Sequence, residues 1–107
     1  MSIDYKREFI LDAKFVKGTG FLEKAHYGDG ALALVFHYSD GDGLDTLSTN
    51  LVGHGLVAPP DHVYVKSYSE HEGLAETMAD AGIAEQVGEP VTFGPFDTSA
   101  VLMKVLV

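Results

Sequence analysis

Glycine and proline fall in tight groups along this chain, and their spacing leaves room for many short strands but for only one helix. Gly18-Thr19-Gly20, Gly28-Asp29-Gly30, Ser39-Asp40-Gly41-Asp42-Gly43, the stretch 53–61 with Pro59-Pro60, Gly88-Glu89-Pro90 and Gly94-Pro95 each read as a turn or loop. Glycine supplies the positive φ that tight hairpins need, and proline can neither donate to a ladder nor continue a helix. Between these breaks the apolar residues alternate or run briefly, as in half-buried and buried strands. Residues 8–17 place Phe9, Leu11, Ala13 and Phe15 on one face, and 21–27, 31–38, 44–51 and 62–66 read as further strands. The hairpin of 31–38 with 44–51 is expected in the middle of the sheet. Val91 to Phe93 is a short extended piece, and Ala100 to Val107 is apolar enough for a buried strand.

The helical pattern lies in the longest unbroken stretch. Ser69 with Glu72 three residues later is a capping box, Leu74, Met78 and Ala81 share a helical face, and Gly82 offers a left-handed C-cap. The spacing predicts a helix over 70–81, packed on one face of a mostly antiparallel sheet of four to six strands, an α+β fold. At 107 residues the chain fits a single domain, 1–107, with a real core. No internal repeat or low-complexity tract is visible.

Charge is distributed unevenly. The first twenty-four residues hold five cations against four acids, while Ala25 to Val107 holds twelve acids against Lys66 and Lys104 alone. Such a field repels nucleic acid and membrane phosphate and suits a protein partner with a basic surface. The chain contains no cysteine, which removes disulfides, thiolate catalysis and cysteine-bound zinc. It shows no apolar signal core at its amino terminus and no apolar run of membrane-spanning length, so the expected location is cytoplasmic.

Motifs that carry chemistry fail on context. Gly53-His54-Gly55-Leu56-Val57-Ala58 has the spacing of a dinucleotide fingerprint, yet Pro59-Pro60 forbids the helix that must receive the pyrophosphate. Asp40-Gly41-Asp42-Gly43-Leu44-Asp45 resembles a calcium loop, but alignment on Gly43 puts Tyr38 at the first ligand position and Thr49 where a bidentate glutamate belongs. Histidines 26, 37, 54, 62 and 71 form no helical pair, and no Gly-x-Ser-x-Gly elbow marks a nucleophile. No catalytic residue, cofactor or metal is expected, and the chain reads as a binding protein, not an enzyme. The alternative enzyme reading would build a site from Tyr27, His37 and His62.

Glu72, Glu76 and Asp80 recur every four residues on the predicted helix, with no lysine or arginine between Ser67 and Ala100 to pair with them. Like charges at this spacing repel, so the stripe is either a solvated face or a partner-binding one. Glu70 and Glu72 have structural roles available at the helix start through the dipole and the capping box, which leaves Glu76 and Asp80 as the cleaner contacts. Asp40, Asp42 and Asp45 on the hairpin turn are the second acidic group.

The run Leu47-Ser48-Thr49-Asn50-Leu51, the stretch Val63 to Leu74 with its Lys66-Ser67-Tyr68-Ser69-Glu70-His71-Glu72-Gly73, then Ala81-Gly82-Ile83 and Gly88 resemble a family of small acidic proteins of plasmids, conjugative elements and phages. The resemblance covers about residues 44 to 107 and brings no catalytic residues. In size and charge the chain is also similar to anti-CRISPR and antirestriction proteins. The resemblance implies a mobile-element or phage inhibitor of a bacterial defence system, most specifically an anti-CRISPR protein. Carboxylates 72, 76, 80, 40, 42 and 45 would occupy the basic nucleic-acid groove of a surveillance complex, without binding nucleic acid or membrane directly. A second reading is an accessory or regulatory module of a conjugative element whose acidity serves solubility. Nothing in the sequence speaks to oligomeric state.

Overall fold

The computed structural model describes residues 2–14, 16–41, 43–66 and 73–107, with residues 2–6 described in their backbone alone. Phe15, Asp42, Ser69, Glu70 and Glu72, and with them the predicted capping box, lie outside the described residues. The amino-terminal half is a meander of β1 (Ser2–Asp12), β2 (Lys17–His26), β3 (Leu32–Tyr38) and β4 (Leu44–Thr46), antiparallel in the order β1-β2-β3-β4. Alternation works as the pattern requires: Phe9, Leu11, Leu22, Leu34 and Phe36 turn inward and are buried.

The first turn is not at Gly18-Gly20. It falls at Ala13–Val16, where the Ala13 N–H donates to the Val16 carbonyl at 3.0 Å, and both glycines lie inside β2. Gly20 is needed there because the next strand is so close: a Cβ would stand 2.3 Å from the His37 carbonyl oxygen. The second turn forms as expected, with Gly30 at φ 88 and its N–H on the Tyr27 carbonyl.

The strand expected over 44–51 breaks after three residues, and β4 lies at the sheet edge rather than in the middle. At that point the side chain of Ser48 replaces the ladder, its Oγ accepting the Leu34 N–H at 3.0 Å. Thr49 then donates its N–H to the Tyr64 carbonyl in β5 (His62–Lys66), so the chain crosses to a second sheet. That sheet holds β5, β6 (Ala84–Phe93) and β7 (Thr98–Val105), antiparallel in the order β5-β7-β6. β6 starts well before Val91 because Gly88-Glu89-Pro90 is a bulge in an edge strand, marked by the register shift between Val87 and Val91.

The helix, α1 (Leu74–Asp80), is shorter than predicted. Gly73 at φ 80 is left-handed, so a helix cannot run through it from residue 70. The other end is as expected: Gly82 at φ 77 donates to the Ala79 carbonyl and Ile83 to the Met78 carbonyl, a Schellman pair. Thr77 Oγ1 accepts the Asp12 N–H at 2.8 Å and ties α1 to the end of β1.

The result is an α+β fold in which the antiparallel strands divide into two sheets, of four and three strands. One core joins them: Leu11, Leu34 and Phe36 from the first sheet, Val63, Val65 and Met103 from the second, and Leu74 and Met78 from α1. A smaller core sits on the other face of the second sheet, where Leu51, Leu56 and Ala58 of the 51–58 segment cover Tyr64 and Ala100. Among the described residues no helix is long and apolar enough to cross a membrane.

Candidate functional site

Leu74 and Met78 are fully buried, so the opposite side of α1 must face outward, and Glu76 and Asp80 are both exposed. The next strand carries exposed acids as well. Glu85 and Glu89, which sequence reasoning passed over, are exposed on β6, and residues 74–93 contain no lysine or arginine. Fold contacts bring two cations near all the same. Arg7 of β1 shares a shallow crevice with Asp80, and Lys104 is the cross-strand neighbour of Glu85. The Arg7 guanidinium is itself stacked over the Phe9 ring, 4.8 Å from its centroid.

The two acidic groups expected to act together are held apart. α1 packs on β6, β1 and β5, whereas the 39–43 turn joins β3 to β4, at the edge of the first sheet farthest from β1. Asp40 is exposed there. Asp45 is half-buried and accepts the Tyr38 hydroxyl proton at 2.6 Å, so it is already engaged. Burial pushes the Tyr38 phenol up to about 12, with further push from the Asp45 hydrogen bond and charge. Glu72 and Asp42 lie outside the described residues.

A cleft of about 640 Å3 opens where the β2–β3 turn, residues 49–52 and the 56–62 segment meet. Its rim is fixed by side chains. Asp29 accepts from the Ala31 N–H at 3.0 Å through Oδ1 and from Asn50 Nδ2 at 2.9 Å through Oδ2, and Asn50 Oδ1 accepts the Val52 N–H at 3.1 Å. The Asn50 and backbone hydrogen bonds hold the Asp29 carboxyl below its ordinary value. On the opposite side His62 Nδ1–H donates to the Pro60 carbonyl at 2.8 Å, leaving Nε2 as the acceptor of the neutral ring. Tyr27 lines the cleft too, its hydroxyl 2.9 Å from Ser48 Oγ.

Comparison with known proteins found no family model, no curated protein and no solved structure that matches the chain. Of the residues in the enzyme alternative, Tyr27 and His62 line the cleft, but His37 does not; its Nε2 lies 2.7 Å from Glu23 Oε1, on residues that do not line the cleft. Gly53-His54-Gly55 forms a 3-10 turn over Val52–His54 rather than the mouth of a helix. Among the described residues no group of three or more histidines and acids converges as a metal site. Asp29, Asn50 and Tyr64 escaped the sequence reading because each had a sufficient local role, in a turn, a loop and a strand.

Proposed function

We propose that this is a non-catalytic binding protein that sets an acidic surface against a basic, phosphate-binding groove of a partner. In the form that the family resemblance suggests, it is a mobile-element inhibitor of a bacterial defence complex, a CRISPR surveillance complex first. The observation that carries the reading is the α1–β6 unit, which presents Glu76, Asp80, Glu85 and Glu89 exposed while the helix is anchored by Leu74 and Met78 in the core. Carboxylates on an anchored element lose little freedom on docking and can take the charge-assisted hydrogen bonds that arginines otherwise give to phosphate. Asp40 is a separate, second contact. Glu76 is the cleanest of the set, because Asp80 has Arg7 beside it and Glu85 faces Lys104.

The test uses a panel of purified surveillance complexes loaded with labelled target DNA. The protein should displace the DNA or block its loading, with an association rate that falls as salt is raised. Glu76→Lys with Asp80→Lys should abolish this while the unfolding midpoint stays close to that of the parent, and Glu76→Lys alone serves if the double variant unfolds. Displacement by the reversed protein at parental strength would sink the acidic-docking mechanism. Binding that survives salt favours the accessory-module reading.

A further inference from the structure

We propose that the cleft between the β2–β3 turn and the 56–62 segment binds a small organic cation, a primary ammonium carried on an apolar body. This site is distinct from the α1–β6 surface and stands whether or not that surface docks on a partner. The charge of the lining selects the sign. Asp29 and Asp61 both line the cleft, and no lysine or arginine does. An anionic ligand would meet two exposed carboxylates with no compensating cation, and their repulsion opposes its binding.

The polar groups are poised for a donor. Each oxygen of Asp29 already accepts one hydrogen bond and retains acceptor capacity, and those same bonds hold the carboxylate in place. Tyr64 gives a second, independent sign. It is nine-tenths buried, at 9% exposure, and its hydroxyl makes no hydrogen bond among the described residues. None of the buried side-chain oxygens described lacks a partner, so this hydroxyl keeps some exposure, and Tyr64 is one of the residues that line the cleft. A phenol oxygen there accepts from an ammonium, and its ring offers an apolar or cation–π surface.

The rest of the lining asks for carbon. Leu51, Leu56 and Ala58 belong to the small second core and reach the cleft from its floor, and the volume of about 640 Å3 lies within the range of small-molecule sites. The walls are preformed. Asn50 bridges the β2–β3 turn to residues 49–52, and the Asp61 carbonyl accepts the Val105 N–H at 2.8 Å, which pins the far wall to the end of β7. Little ordering remains for a ligand to supply.

The probes are 2-phenylethylammonium, 2-phenylethanol and 3-phenylpropionate, closely similar in ring and length and differing in charge. In amide NMR titrations at neutral pH the ammonium should shift Asp29, Asn50 and Tyr64 and bind about tenfold tighter than the alcohol, while the carboxylate leaves them unmoved. Asp61→Asn should weaken the ammonium about threefold or more and leave the alcohol unchanged, since asparagine tolerates the Asp61 φ of 63. Asp29→Asn should do the same, with Asp61→Asn deciding the matter if loss of the Asp29 charge loosens the turn. Asp97→Asn, in the β6–β7 turn outside the cleft, should change nothing. Equal shifts from all three probes, no cleft shifts at millimolar ammonium, shifts confined to α1, or indifference to both cleft substitutions would each overturn the proposal.

Discussion

Tyr38 joins parts of the chain that sequence keeps apart. Gly18 lies against its ring, where a Cβ would come within 3.3 Å, and Asp45 accepts its proton. Burial and Asp45 favour the neutral phenol in the folded state, raising it from 10.0 to about 12. A group whose folded pKa is raised contributes stability in full below its unfolded value and loses it as pH climbs through the folded one. Stability should therefore fall between about pH 10 and 12 through this residue. Absorbance titration at the tyrosinate band should show a late step that Tyr38→Phe removes; its survival in the variant would assign the late step to another tyrosine. The same neighbourhood shows why Gly18 and Gly20 lie inside a strand and not in a turn. A lone sequence offers glycine a turn as its default role, whereas these two are small because Tyr38 and the His37 carbonyl stand beside them.

At seven residues α1 is too short to persist on propensity, so packing must hold it. Leu74 and Met78 have 0% exposure, and Leu74→Ala should cost about 2–5 kcal/mol, read as a lower urea midpoint at unchanged slope. An unmoved midpoint would take the helix out of the core. The buried face and the Gly82 cap were legible because 3.6-residue spacing and a terminal glycine are local signals. The start was not, because a glycine inside a helical pattern reads only as a propensity cost, while the φ of 80 at Gly73 is settled by what packs around it. β6 was half-hidden for a related reason: bulges and turns are built from the same Gly and Pro, and only the partner strand tells them apart.

Across the whole molecule, a formal charge of −9 at pH 7 sets carboxylate against carboxylate. The Lys17–Asp12 pair, at 3.4 Å with both side chains largely exposed, relieves little of it. Raising salt from about 0.01 to 0.15 M shortens the screening length from about 30 to 8 Å, so the thermal midpoint should rise. A fall on added salt would mean that surface ion pairs outweigh the repulsion. The acidic residues themselves could be read from sequence, but their grouping could not. Arg7 comes to share a crevice with Asp80, and Asn50 bonds Asp29, only after the sheets have formed.

The central place of β7 in the order β5-β7-β6 has a consequence for how the chain is made. The first four strands pair neighbour to neighbour and can zip up as they leave the ribosome. β5 must instead wait for its ladder partner until a strand that begins at Thr98 has been synthesised. Non-local pairing of this kind is slow, and a nascent chain paused between residues 66 and 98 would hold a finished meander beside an open, apolar half.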